Sequence, residues 1–324
     1  MELIEYVINV AVFVQDLAFS LLKVMYIIIC DAIGNMFRKK RRDLKGETML
    51  ITGGGRGIGR LLGIKAAECG AKVVLWDIDE KTVRQTADEI KQIGGDASWY
   101  VCDITSEDDV NRTAKKVQAE IGDVSILVNN AGVMQNVPFL QLSSEKIVQT
   151  FKVNALAHFW TIRAFLPRME EKNQGHIVAI SSCAGLMGHV NQSDYSASKW
   201  AVVGMMESLS EEMRLKKSNI KFTTICPLTV NTGMNENPVT RFQFLLPILS
   251  PEKATSNILT AIKNEEFLVT IPRRIKFFLS LVRLLPHVML SEIMDFSEYC
   301  RVPNTASNTN GNVVEDTSDS SRIL

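Results

Sequence analysis

The chain has 324 residues, 46% of them apolar, and its 36 basic and 36 acidic side chains leave no formal net charge. A balanced charge offers no surplus of cations to neutralise phosphates, which argues against nucleic acid as a partner. Six scattered cysteines without a Cys-x-x-Cys pair, and four histidines without ligand spacing, point to reduced thiols on the cytosolic side and to no bound metal.

Residues Leu3 to Ile29 suit one apolar helix, whose polar members Glu5, Asn9, Asp16, Ser20 and Lys23 fall within an arc of about 60° at 100° per residue. A charge at a bilayer centre costs roughly 2.5–3.5 kcal/mol, so the stripe suits a helix lying in the interface, or a spanning helix with its stripe against a partner. The start lacks the basic region and small-residue cleavage site of a signal peptide. Next comes Arg38-Lys39-Lys40-Arg41-Arg42, in which each cation near an anionic leaflet contributes about 1 kcal/mol. The same positive run places everything after it in the cytosol. Residues 1–37 are thus expected to form a membrane anchor and 38–46 a basic linker.

From Thr48 the pattern alternates. Thr48–Thr52, Lys72–Trp76, Ser98–Val101, Ser125–Val128 and His176–Ile180 read as strands, and Arg60–Cys69, Glu80–Ile93 and Glu107–Ile121 as helices. This predicts an α/β fold, a doubly wound, Rossmann-type parallel sheet in a single domain over residues 47–272, with ligands at the carboxyl ends of the strands. Gly53, Gly57 and Gly59, with Arg56 and Ile58 among them, sit between strand and helix, where backbone must turn sharply and approach a pyrophosphate. Asp77 closes the second strand, where a carboxylate bonds ribose hydroxyls and repels a 2′-phosphate, whereas Arg56 offers that phosphate a partner. Burying two like charges is the costlier error, so NAD is expected and NADP is the alternative. Asp103 and Asn129-Asn130-Ala131-Gly132 lie at further strand ends, where turn chemistry would also account for them.

The second half carries the reactive groups. Ser182 follows the fifth strand, and Tyr195 and Lys199 stand four residues apart at the start of a helix, which stacks them on one face. A cation within a few Å favours the phenolate, so Lys199 is expected to make Tyr195 a usable base. Residues 227–250, with Met234, Phe242, Phe244, Leu245, Leu246, Ile248 and Leu249, are long and apolar and are expected to form a lid over a greasy substrate. Residues 273–302 form a second basic, amphipathic stretch suited to a bilayer surface, and the polar residues 303–324 carry too few core formers to fold.

Taken together, Thr52-Gly53-x-x-x-Gly57-x-Gly59, Asn129-Asn130-Ala131-Gly132, Asn154, Ser182 and Tyr195-x-x-x-Lys199 resemble the short-chain dehydrogenase/reductase family in order and spacing, from roughly Lys45 to Thr270. Val74-Leu75-Trp76-Asp77-Ile78 and Ala157-His158-Phe159-Trp160 are similar to phrases of its membrane-associated retinol and 17-beta-hydroxysteroid dehydrogenase group. The resemblance implies a catalytic set of four. Tyr195 exchanges the proton with the substrate oxygen, Lys199 lowers its pKa and bonds the nicotinamide ribose, Ser182 holds the substrate oxygen, and Asn154 positions a water. It further implies a cofactor site built from Thr52, Gly53, Arg56, Gly57, Ile58, Gly59, Asp77, Asp103 at the adenine, Asn129, Ala131, Tyr195, Lys199, Pro227 and Thr232. One position departs, since the Pro-Gly usual after the sixth strand is Pro227-Leu228 here.

The expected function is membrane-bound, NAD-dependent oxidation of a lipophilic alcohol of retinol or hydroxysteroid type. The expected place is the endoplasmic reticulum membrane or the lipid droplet, with the catalytic domain facing the cytosol, and family analogy implies a homodimer. Two alternatives stay open. Arg56 motivates an NADP-dependent carbonyl reductase, and the share of chain given to membrane contact motivates a membrane or lipid-droplet interaction protein with a non-catalytic core.

Overall fold

The structure, a computed structural model, describes residues 2–36, 41–233, 240–244 and 246–297. Two compact units divide the chain, Met1–Arg42 and Asp43–Leu324. The first is one helix, α1 (Glu2–Met36), whose stretch Asn9–Tyr26 is long and apolar enough to cross a membrane and has no side chain buried. Arg38-Lys39-Lys40 and the polar tail from residue 303 lie outside the described residues.

The second unit alternates strand and helix. Its first half comprises β1 (Thr48–Thr52), α2 (Gly57–Glu68), β2 (Lys72–Asp77), α3 (Glu80–Gln92), β3 (Asp96–Val101), α4 (Glu107–Glu120) and β4 (Ile126–Asn129). Then follow α5 (Ser144–Phe151), α6 (Ala157–Glu171), β5 (His176–Ile180), α7 (Ser193–Leu215), β6 (Lys221–Pro227), α8 (Pro251–Lys263), β7 (Leu268–Ile271), α9 (Arg274–Val282) and α10 (His287–Ser297). The seven strands form one parallel sheet in the order β3-β2-β1-β4-β5-β6-β7, as the alternation predicts. The order reverses between β1 and β4, and a doubly wound sheet opens its ligand crevice at that switch.

Period-two alternation divides each strand between two cores. Met49 and Ile51 of β1 pack with Leu62, Leu75 and Ile258 on one face, while Leu50 packs with Trp76, Phe165 and Met206 on the other. Every residue of β4 and β5 is buried, the signature of a sheet covered on both faces. Side-chain caps fix several helix starts: Asp79 accepts from the Thr82 amide, Ser106 from Asp109 and Ser250 from Lys253.

Three local departures from expectation have physical causes. Helix α2 begins at Gly57, three residues before the expected Arg60, because its first turn is built from glycine-rich sequence that scores poorly as helix. Between α5 and α6 the helix widens into a π turn, Lys152–Leu156, which carries Asn154 and which no periodicity announces. The basic stretch from 273 is half absorbed by the domain, since Ile275, Leu279 and Val282 are buried. In the segment 227–250, Leu228, Leu246 and Leu249 are buried in the core and Val230 bridges Leu249, so its ends are anchored. Met234 and Leu245 lie outside the described residues.

Candidate active site

At the switch point the glycine loop joins β1 to α2. Gly57 has φ of 53°, a left-handed conformation open to glycine, and a Cβ on Gly59 would stand 2.0 Å from the Gly53 carbonyl oxygen. Arg56, at the N-cap of α2, makes no side-chain cap, so the first amides of the helix are left for an incoming anion. Thr52 holds the neighbouring turn, its Oγ1 accepting from the amides of Asn130 at 3.0 Å and Ala131 at 3.2 Å.

Two cavities open along this edge. One, of about 550 Å³, is lined by Gly53, Asp77, Asp103 and Ala131 together with Trp76, Cys102, Thr105, Val148 and Lys152. The other, of about 120 Å³, gathers Arg56, Ile58, Ser182, Tyr195, Lys199, Pro227 and Thr232, despite the departure at Leu228, which also lines it. Most of the residues singled out in the sequence therefore meet in these two cavities, along the carboxyl ends of the strands. Gly57, Gly59 and Thr52 shape the loop without lining either cavity. Asn129 is also set back, its Oδ1 accepting from the Thr161 hydroxyl at 2.7 Å, and Asn130 is the member of that run that reaches the smaller cavity.

The acidic edge resolves the conflict between Asp77 and Arg56. The Asp77 carboxylate accepts from the Gly55 amide at 2.8 Å and the Asp79 amide at 3.1 Å. Burial nevertheless raises its pKa above the ordinary value. Arg56 is ion-paired with Asp79. Partial burial pulls the Asp79 carboxyl up, but the Thr82 amide and Arg56 outweigh it and hold that carboxyl below its usual range. The guanidinium that motivated NADP is thus already taken by a carboxylate two residues beyond Asp77.

Lys199 is 3% exposed and its ammonium donates to the Ile180 carbonyl at 2.9 Å. It lies over the Tyr195 ring, 5.6 Å from the ring centroid. Without nucleotide, the largest influence on both groups is the loss of water. Burial dominates, pushing the phenol up to about 12 against the opposing hydroxyl of Ser182, and pushing Lys199 down to about 8. His158, packed beneath, is driven to about 3 by burial first and by the Lys199 cation second, so it stays neutral.

Asn154 is fully buried. Its Oδ1 accepts from the Val133 amide at 2.8 Å, and its Nδ2 donates to the Val133 carbonyl at 2.8 Å and to Ser198 Oγ at 3.1 Å. The amide thereby clamps the strand-end loop to α7. Sequence reasoning missed Ser198, which also donates to the Tyr195 carbonyl at 2.7 Å. It missed Met134, His189, Gln192, Thr229 and Val230 as cavity walls as well. Their one signal was position, in loops that precede Tyr195 or follow β4 and β6. Among the described residues no cluster could hold a metal ion, and Cys69, Cys102, Cys183 and Cys226 are free thiols.

A crevice at this point of a doubly wound sheet is where such α/β proteins take a dinucleotide. The profile of the short chain dehydrogenase family matches residues 47–241, and the chain belongs to that family. It is 43% identical to bovine (Bos taurus) short-chain dehydrogenase/reductase family 16C member 6 over 260 residues, covering 80% of this chain and 82% of the relative. It is 42% identical to human estradiol 17-beta-dehydrogenase 11 over 254 residues, 78% and 84% of the two chains. To mouse epidermal retinol dehydrogenase 2 it is 41% identical over 285 residues, 87% and 90% of the two. Among solved structures it is similar to a short chain dehydrogenase/reductase of Burkholderia phymatum in complex with NAD, with a TM-score of 0.67, 28% identity, and coverage of 74% of this chain and 94% of that one. A metagenomic short-chain oxidoreductase in complex with NADP gives a TM-score of 0.59 at 29% identity, over 70% and 96% of the two chains.

The buried amine makes a stability prediction. The Lys199 pKa is about 8 in the fold against an ordinary 10.5, so between those values the unfolded chain binds the additional proton. Stability is therefore penalised below pH 8 and recovers as pH rises toward 10.5, by up to about 3 kcal/mol. Lys199→Met should raise the melting temperature of the nucleotide-free protein at pH 7, with the gap to wild type closing as pH climbs toward 10.5. Thermal melts of both proteins over that range check this, and an unchanged or lowered melting temperature at pH 7 contradicts it.

Proposed function

We propose that the protein is a membrane-bound, NAD-dependent dehydrogenase that oxidises the hydroxyl of a lipophilic alcohol, of retinoid or steroid type, to the carbonyl. The observation that carries this reading is the meeting of Ser182, Tyr195 and Lys199 in one cavity whose other walls include Met134, Leu228 and Val230. The printed names of the relatives, an estradiol dehydrogenase and a retinol dehydrogenase, support a substrate of that kind.

A dinucleotide fits the residues present. The uncapped start of α2 suits its pyrophosphate, the crowding at Gly59 suits close backbone approach, and the fixed Asp77 carboxylate suits two ribose hydroxyls. Such a cofactor, when bound, supplies the acceptor for hydride. The chain's own groups handle the proton. The Ser182 hydroxyl bonds the substrate oxygen, and the Tyr195 oxygen takes the hydroxyl proton as the carbonyl forms. Lys199, charged below about pH 8, stabilises the phenolate that does so. Asn154 holds the loop and α7 in register through Val133 and Ser198.

The pairing of Arg56 with Asp79 supports NAD over NADP, and with it oxidation over carbonyl reduction. The exposed apolar length of α1 and the cations after it support anchoring with the catalytic unit in the cytosol, at the endoplasmic reticulum or lipid droplet, where lipophilic alcohols collect. Exposed Leu156 and Phe159 on the π turn and α6 support a homodimer through that face. No observation favours a non-catalytic core.

With retinol or a hydroxysteroid in detergent, wild type should generate NADH, read by absorbance, and Tyr195→Phe should lose about a thousandfold in rate. Equal turnover by both would remove Tyr195 from the mechanism. Asp79→Asn frees Arg56 and should raise the affinity for NADP relative to NAD by about tenfold in titration calorimetry. A ratio unchanged by that substitution would place Arg56 out of reach of the adenosine ribose.

A further inference from the structure

Helix α9 and the turn after it carry two apolar faces. Ile275, Leu279 and Val282 are buried, whereas Phe277, Leu281 and Leu284 are 76%, 53% and 82% exposed. At 100° per residue the two triplets point about 160° apart, so the exposed stripe is a face of its own rather than the rim of the core. Arg273 and Arg274 border that stripe on its two edges, Lys276 and Arg283 lie further round, and residues 273–285 contain no acid. Helix α10 adds exposed Val288, Met289 and Phe296, with Glu292 and Asp295 as its acids.

The cations are held without losing their charge, apart from Arg273, which pairs with Glu266 at 2.5 Å. Arg274 donates to the Phe244 carbonyl, Lys276 donates to the Leu268 carbonyl at 3.2 Å, and Arg283 stacks on the Trp200 ring at 4.2 Å. A single exposed leucine needs no account, but a contiguous apolar stripe framed by uncancelled cations does. An acidic surface with an apolar interior satisfies both features at once, and an anionic leaflet is such a surface. A second copy laid on this face would set arginine against arginine, which argues against self-association there.

We infer that α9, with the turn to Leu284, is a bilayer-docking helix that lies in the interface of an anionic membrane independently of α1. Phe277, Leu281 and Leu284 enter the acyl boundary, and Arg274, Lys276 and Arg283 extend to the phosphate level. The helix is tied to two residues outside the cavity lining, Phe244 and Trp200. Arg274 bonds the segment that follows cavity-lining Thr232, and Arg283 stacks on the residue next to Lys199. Docking therefore brings these neighbours of the cavity to the lipid surface, a consequence that rests on the lipophilic substrate proposed above, whereas docking itself does not.

The test uses the full chain in vesicles, with Cys30, Cys69 and Cys300 replaced by serine and an environment-sensitive fluorophore attached through Leu284→Cys. The same label on Gln92→Cys, an exposed position on α3, is the control. The emission at 284 should shift to the blue and be quenched by nitroxide lipid, more in phosphatidylserine vesicles than in phosphatidylcholine ones, while position 92 does neither. Equal responses at both positions, or no lipid quenching at 284, overturn the inference. A response at 284 that follows protein density instead of lipid composition assigns the face to a second copy and overturns it too. As a functional readout, Phe277→Glu with Leu284→Glu should raise KM about fivefold or more for a long-chain alcohol dissolved in the vesicles. KM for a water-soluble alcohol, and kcat for both, should stay unchanged. If wild type turned over neither alcohol, the catalytic reading would fail while lipid quenching still decided the docking.

Discussion

The ammonium of Lys199 is kept out of water at the carboxyl end of β5, with the Ile180 carbonyl at 2.9 Å as its hydrogen-bond acceptor. Burying a charge with so little compensation costs stability. Ser181 Oγ donates to the Lys199 carbonyl at 2.9 Å and pins the first turns of α7 to the end of β5. Ser198 donates to the Tyr195 carbonyl and receives the Asn154 amide, whose other bonds reach Val133 beyond β4. Two strand ends, the π turn and one helix are thereby locked around a phenol and an amine. Placement of this kind is what the proposed proton transfer requires of a pair four residues apart.

The nucleotide edge follows the same logic of occupied donors. Asp77 is held by two backbone amides and is free to face a ribose, while Arg56 is committed to Asp79. Of these three charges, Arg56 and Asp79 are paired with each other, and Asp77 lines the larger cavity. Farther out, α9 spends one face on the domain core and leaves the other, apolar and edged with cations, to the outside. The chain runs from a helix long and apolar enough to cross a membrane, through a parallel sheet, to a helix whose second apolar face is exposed.

Much of this was legible in the sequence, and the parts that were not share a cause. Strand and helix alternation, the glycine loop and the Tyr195-Lys199 spacing are local patterns, and the seven-stranded parallel sheet and the shared cavity agree with them. What escaped was whatever depends on burial or on a distant partner. At Tyr195 spacing shows a neighbouring cation but not the loss of water, which raises the phenol in the nucleotide-free chain. The pull between Asp77 and Arg56 could not be settled because no short motif pairs Arg56 with Asp79, which lies 23 residues away and also caps α3. Asn129 was placed at the cofactor, yet its side chain is turned to Thr161, a contact across 32 residues that no short motif encodes. The stretch from 273 read as one amphipathic pattern, because periodicity alone does not tell which of two apolar faces the domain takes.

The central claim is that a phenol raised to about 12 by burial becomes a base only when positive charge gathers beside it. Ultraviolet titration of tyrosinate, as the difference between wild type and Tyr195→Phe with and without saturating NAD, measures this directly. The account predicts a Tyr195 transition near 12 without nucleotide that falls by at least about one unit when NAD is bound. A transition that stays where it is on adding NAD, or one already near its ordinary value without it, would contradict the account.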